Sequence, residues 1–368
     1  MFVSGVGERL MRRSCAGSVV IGLIGAVEWA KLSFMPKNMS NSAPGAATPG
    51  AAAPPAVLGL RDQRLVAALQ CDGRLSAERA AEVLGENPRT VHRRWRALTG
   101  DGTVKVLALP ARPDSVGALL LRIKVLKGKL DALTAALAAR PDIPFIDLSA
   151  TGDEITAVSL TDPGSRDHLV FRQLPATPAV ASVSAATVLH VFSEASDWRH
   201  DVLTEAERAA LTPAPRTRAP APAGPAPDAV DSDILAALRD DARTPAAAIA
   251  ARTGHPASTV RRRLARMTSD GRLVVQVAVD PKRLGLRIDA NVMMQVPPDH
   301  LDAVGRTLAR HPAVHGAFAT TGAANLHAAV WVRDLAALYR LISQDLSGLG
   351  IGGVETVIVG HAVKRPGG

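Results

Sequence analysis

The side chains in this chain best placed to act together chemically are arginines. The stretch RTVHRRWRALTGDG begins at Arg89, and STVRRRLARMTSDG begins at Ser258. Set on a helix at about 100° per residue, Val91, Trp95 and Leu98 fall on one narrow stripe, and Arg89, His92, Arg93 and Arg96 gather opposite it. In the second stretch Val260, Leu264 and Met267 form the apolar stripe, Ser258, Arg261 and Arg262 face away, and Arg266 flanks them. Arg94 and Arg263 lie at the edge of the apolar face, where each can either reach a phosphate, as expected of Arg94, or cover apolar surface with its stem. A solvated helix face usually mixes signs. Here no acid occurs between Arg89 and Gly100, nor between Ser258 and Ser269. A single-sign face of this width suits the major groove of double-stranded DNA. An arginine fork can pair with guanine O6 and N7, and Thr90 and Thr259, near the helix starts, can serve phosphates.

The two stretches belong to a longer repeat. At an offset of 169 residues, positions 62–106 match 231–275 at 17 of 45 places without a gap. Asp62 meets Asp231, Asp72 meets Asp241, Arg74 meets Arg243, and Gly85 and Gly102 meet Gly254 and Gly271. These charged and turn positions are not explained by an alanine-rich composition. Each copy reads as three helices. In the first, Asp62 is expected to cap a helix to about Gln70. Ser76 caps the next and Gly85 ends it, and Asn87 with Pro88 starts the third. The second copy predicts helices over Ser232–Arg239, Pro245–Thr253 and Ala257–Ser269. After each third helix a short β hairpin is expected, from TVKVLAL in the first copy and RLVVQVAV in the second. The helices and hairpin together make a winged helix-turn-helix.

A longer mixed segment follows each reader. In the second copy, IDANVMMQV, AVHGAFAT, NLHAAVWV and GVETVIVGHAV read as strands, with helices in PDHLDAVGRTLARH and DLAALYRLISQDLSGL, an order βαββαβ. The first copy runs parallel to it through ALLLRIKV, KGKLDALTAALAA, PFIDLSA, EITAVSL, a degraded helix around Arg166–Leu174, and ASVSAATVLHVF. The fold class is therefore α+β: two winged helix-turn-helix domains alternating with two ferredoxin-like βαββαβ domains. The boundaries predicted are an extension over 1–56, readers over 57–109 and 228–278, mixed domains over 110–193 and 279–366, and a linker over 194–227. The linker has a short helix at TEAERAAL and then a proline- and alanine-rich run.

Composition narrows the function classes. The net charge of +9 suits an anionic partner. Two cysteines, Cys15 and Cys71, make neither a disulfide framework nor a zinc spacing and fit a reducing cytoplasm. The apolar run Val19–Val27 is short for a bilayer span and is interrupted by Glu28 and Lys31, so no membrane association is expected and Met35 or Met39 is the expected start. His311, His315, His327 and His361 fall in the second mixed domain. Pro312 breaks the one helical spacing among them, and neither a metal nor any other cofactor is expected. No phosphate loop or nucleophile elbow is present.

The order of winged helix-turn-helix and βαββαβ, carried by LRDQRLVAALQCDGRLSAERAAEVLG, RTVHRRWRALTGDGTVKV, VDPKRLGLRIDANVMMQV and TTGAANLHAAVWV, resembles the Lrp/AsnC family of transcriptional regulators. The resemblance spans about 58–192 and 228–365. It implies a cytoplasmic, nucleoid-associated regulator. That family carries one such unit per chain and pairs through the mixed domain, so this chain resembles a covalent pseudo-dimer. The resemblance also implies an amino-acid effector bound near the Thr-Gly turn of each mixed domain, here Thr151, Gly152 and Asp153, and Thr321, Gly322 and Asn325. An acid soon after the glycine suits an α-amino group. The first turn keeps Asp153, and the second does not keep an acid. A homo-oligomer is expected through exposed sheet edges. An enzymatic alternative, a sirohaem-decarboxylase-like member of tetrapyrrole biosynthesis, shares the architecture. NLHAAVWV matches the strand signature of such enzymes only at Asn325 and Leu326, and they have no need of basic third helices. A ligand sensor with a relic helix-turn-helix is the third alternative.

Overall fold

The computed structural model describes residues 55–110, 117–161, 169–213 and 227–365. The readings made on the amino-terminal extension and on most of the proline-rich linker lie outside the described residues. The first reader is built from α1 (Leu60–Cys71), α2 (Ala77–Leu84) and α3 (Pro88–Gly100). Ser76 accepts the Arg79 N–H, Gly85 closes α2 with φ 68°, and Asn87 accepts the Arg89 N–H with Pro88 in the first turn. Asp62 does not cap α1. Gly59 holds that place without a side-chain bond, and Asp62, inside the first turn, pairs with Arg94 at 2.7 Å. Leu65, Leu69, Val91, Trp95 and Leu98 fill the core.

The second reader, α6 (Ala229–Ala237), α7 (Ala246–Thr253) and α8 (Ala257–Ser269), repeats the arrangement around Ile234, Leu238, Ile249, Val260, Leu264 and Met267. Its first helix begins three residues before the expected Ser232 because Asp228 supplies the cap, accepting from the Asp231 N–H.

The expected wing hairpins do not form. Each reader is followed by one strand, β1 (Val104–Pro110) or β6 (Leu273–Val279), and the two pair antiparallel with each other, Val106 opposite Val277. Seven extended residues leave no room for a turn, and a lone edge strand needs a partner, which the sister copy supplies. Arginines tighten this shared wing reciprocally. Arg74 donates to the carbonyls of Ala242 and Thr244, and Arg243 donates to those of Gly73 and Leu75, both at 2.9 Å. The Arg243 guanidinium also lies 4.9 Å from the Trp95 ring centroid. A Cβ added at Gly73 would stand 2.3 Å from a Val275 methyl carbon, so any larger residue there forces Val275 or the wing to shift. Arg243→Ala is expected to cost about 2–4 kcal/mol, from lost charge-assisted bonds and the cation–π contact. Urea unfolding followed by Trp fluorescence checks this, and an unchanged midpoint would show the clasp to be idle.

Each mixed domain forms a four-stranded antiparallel sheet in split βαββαβ order. The first has β2 (Gly117–Val125), α4 (Leu130–Ala138), β3 (Phe145–Ser149), β4 (Glu154–Thr161) and β5 (Val180–Ser193). Of the helix expected around Arg166–Leu174, residues 166–168 lie outside the described residues, and the described part includes a π turn, Leu169–Gln173. The second has β7 (Ile288–Gln295), α9 (Leu301–Arg310), β8 (Val314–Thr320), β9 (Leu326–Val332), α10 (Leu335–Arg340) with a π turn at Leu341–Asp345, and β10 (Gly353–Lys364). The last strand of each sheet pairs with the second strand of the other, β5 with β8 and β10 with β3, so eight strands close into one barrel. The sheet edges expected to be exposed are therefore closed within the chain, and oligomerisation through them is corrected: the two copies satisfy each other's backbone.

Charged residues fasten the seam between the halves. Arg122 on β2 forks to Glu154 on β4 and to Glu355 on β10, with contacts of 2.7–3.0 Å. Arg365, just past β10, pairs with Asp147 on β3 at 2.8 Å and Asp289 on β7 at 2.7 Å. Beside Asp289, the His315 ring stacks on Trp331 with centroids 3.7 Å apart. Burial lowers the pKa of His315 below 6.5, with Asp289 opposing that shift and Arg365 reinforcing it. Burial also lowers His200 and His327. The unfolded chain takes up protons near pH 6.5 that these folded histidines refuse, so stability falls as pH drops below about 6.5. The urea midpoint is expected to decline from pH 7.5 to 5.5, and His315→Phe, which keeps the stack, to flatten part of that decline.

Candidate nucleic-acid interface

The three-helix packing turns the arginine faces outward. Val91, Trp95 and Leu98 are buried, Arg89, His92, Arg93 and Arg96 are exposed, and Thr90 is half-buried. Arg89, His92, Arg93 and Arg96 line one open cleft of about 580 Å³ with Pro88, Ala97 and Glu78 of α2. The Glu78 carboxyl lies below the usual carboxylate range, held by its own backbone N–H and the Ser76 hydroxyl, with help from His92. In α8, Ser258, Arg261 and Arg262 are exposed and Thr259 is half-buried. The side chains of Arg89, Arg93, Arg96, Arg261 and Arg262 have no ion-pair partner among the described residues. Their donors are free for an anionic or hydrogen-bonding surface.

Two of the expected DNA contacts, Arg94 and Arg266, are committed elsewhere, and so is Arg263. Arg94 pairs with Asp62. Arg263 pairs with Asp228 at 2.6 Å and Asp231 at 3.2 Å, and Arg266 pairs with the other oxygen of Asp231 at 3.1 Å. The Asp231 side chain is only 2% exposed, and a buried carboxylate without its cations would be costly. Arg94, Arg263 and Arg266 therefore hold the third helix against the first. The signal for this was present in the repeat, because Asp62 and Arg94 recur as Asp231 and Arg263.

The two Thr-Gly turns differ in what they leave free. In the first, Gly152 has φ 74°, and Thr151 donates to Asp153 at 2.5 Å and sits 2.9 Å from the Ser149 hydroxyl. Asp153 is exposed, and its carboxyl is lowered chiefly by the Thr151 hydroxyl. In the second, Gly322 has φ 105°. Thr321 accepts the Thr187 N–H of β5, and the Asn325 amide is bonded at both ends to the Val296 backbone, at 2.8 and 2.9 Å. Thr321 and Asn325 thus bind backbone of neighbouring segments, whereas the Asp153 carboxylate of the first turn is exposed.

Sequence reasoning also missed a strap. Residues 194–213, expected as linker, run over the first reader. Trp198 donates to the Pro312 carbonyl at 2.8 Å and meets Trp331 edge-on at 4.9 Å. His200 reaches Gln63 at 2.9 Å, and helix α5 (Glu205–Leu211), begun by a Thr204–Glu207 capping box, places Glu207 on Arg64. Trp198, Leu203 and Leu211 join the core of the first reader. The apolar spacing in so short a segment gave no cue to its docking surface.

Comparison with known proteins gives a consistent picture. The model of the AsnC-type helix-turn-helix domain matches residues 61–99 and 228–268, and that of the Lrp/AsnC ligand binding domain matches residues 289–368. The chain is 32% identical over 140 residues to an uncharacterized HTH-type transcriptional regulator of Pyrococcus horikoshii, a match covering 38% of this chain and 88% of that protein. It is 35% identical over 128 residues to the HTH-type transcriptional regulator LrpA1 of Halobacterium salinarum, covering 34% and 89%. Among solved structures, the siroheme decarboxylase NirDL in complex with an iron-uroporphyrin III analogue aligns over 83% of this chain and 93% of its own, with a TM-score of 0.52 and 15% identity. That likeness is one of fold.

Proposed function

The chain belongs to the Lrp/AsnC family of transcriptional regulators, and on that premise we propose that its two third helices read duplex DNA together. Arg89, His92, Arg93 and Arg96 of the first reader and Ser258, Arg261 and Arg262 of the second meet base edges, and Thr90 and Thr259 meet phosphates. The observation that carries this reading is the unpaired, outward arginine face on both third helices, which a decarboxylase would not need. The protein acts as a regulator without catalysis, in the cytoplasm on the chromosome. Among the described residues no helix is long and apolar enough to cross a membrane.

The effector is an amino acid or similar small molecule with a cationic amine, received at Thr151, Gly152 and Asp153, where the carboxylate stays charged and exposed. Any homo-oligomer uses surfaces other than the closed strand edges. Selection of bound fragments from genomic DNA, repeated with each amino acid present, tests both parts: an enriched motif is expected, with its occupancy shifted by one ligand class. Affinity should fall with salt at a log–log slope of about −0.9 per phosphate neutralised. A flat salt response would contradict the DNA reading.

A further inference from the structure

We propose that one chain of this protein reads a single non-palindromic operator: two unlike half-sites at one fixed spacing and in one orientation. The inference rests on the DNA-reading assignment above and adds to it the form of the DNA. In a homodimer the two readers are identical, and the best site repeats one half-site about a two-fold axis. Here the duplication has separated the readers where they face outward. At the repeat offset Arg89 corresponds to Ser258, His92 to Arg261, Arg96 to Ala265, and Glu78 to Ala247, and of these outward groups only Arg93 keeps its counterpart, Arg262.

The chemistry of the two faces differs accordingly. The first cleft offers three free guanidiniums, an imidazole and the charged acceptor Glu78. Guanidiniums pair with guanine, and a carboxylate accepts from the cytosine amino group. The second face offers Arg261, Arg262 and the Ser258 hydroxyl, and its other flanking arginine, Arg266, is held by Asp231. The first half-site is thus the more guanine- and cytosine-demanding of the two.

The spacing and order are built in. The shared β1–β6 ladder, the Arg74 and Arg243 clasp and the contact of Gly73 with Val275 hold the readers against each other. The strap adds a direction, because Arg64–Glu207, Arg79 to the Ala210 carbonyl and His200 to Gln63 all fasten the first reader. Arg79 corresponds to Ala248 and Gln63 to Ser232 in the second copy, so the repeat carries no equivalent groups there.

The test is selection from random duplex DNA with the full chain, followed by binding to the selected site and to two palindromes built from either half. The expected result is a motif with unlike halves at one spacing, one chain per duplex by mass, and a loss of about tenfold or more on each palindrome. A triple variant, Ser258→Arg with Arg261→His and Ala265→Arg, all at exposed positions, should come to prefer the palindrome of the first half. A wild-type preference for a palindrome, or two chains on each selected site, overturns this proposal and leaves the DNA-reading assignment standing. The absence of any enriched motif overturns both.

Discussion

A chain carrying Arg93→Ala and Arg262→Ala is expected to lose specific DNA binding while unfolding at the wild-type midpoint. These are the outward arginines that both copies retain, and neither has an ion-pair partner among the described residues, so their removal exposes no buried charge. Each arginine–base pair contributes about 1–3 kcal/mol of discrimination. The two sites lie on separate helices, so their losses should add to roughly 2–6 kcal/mol, which is enough to bring a specific site close to nonspecific affinity. Gel shifts with a selected site against scrambled competitor measure the loss, and urea unfolding supplies the control. Retained specificity in the folded variant would remove these helices from the interface. Arg94→Ala should behave in the opposite way: it frees the Asp62 carboxylate and weakens the packing of α3 on α1, so it lowers stability before it touches base readout.

The largest effect on stability is expected from Arg365→Met. Arg365 joins Asp147 of the first sheet to Asp289 of the second, and both carboxylate side chains are more than four-fifths covered. Burial already pushes the Asp147 carboxyl up, against the pull of Arg365 and with a further push from Asp289. Without the guanidinium two enclosed carboxylates face each other, and breaking a buried pair in this way costs about 3–5 kcal/mol. The sign with pH is distinctive. A carboxyl whose folded pKa is raised gains stability as pH falls through that pKa, so the deficit of the variant should shrink on acidification, while the wild type loses stability as its buried histidines are left unprotonated. Urea midpoints of both proteins at pH 7.5 and 5.5 give the comparison. A deficit that is absent at pH 7.5, or that grows on acidification, would show that the ion pair does not hold the seam.

Much of this molecule was legible in the chain itself. Ser76, Gly85, Asn87 and Pro88 sit at their helix ends because capping is local chemistry, decided within four residues. The outward arginines were legible because a helix with one apolar stripe has only one way to face its core, and the strands of both mixed domains followed from apolar patterning with short turns between. The misreadings share one cause. Asp62 looks like a cap until Arg94, 32 residues away, is folded beside it. TVKVLAL looks like a wing hairpin until RLVVQVAV lies alongside, and residues 194–213 look like linker until Trp198 finds Trp331.

The sequence by itself determined two arginine-faced readers, two βαββαβ units and the duplication that relates them. These are properties of short-range periodicity and of repeated residue types. Only the tertiary structure decided that the copies interlock: β1 with β6, β5 with β8, β10 with β3, Arg74 and Arg243 across the wing, and Arg365 across the seam. Strand edges and buried charges take whichever partner the whole fold brings within about 3 Å, and no local pattern names that partner.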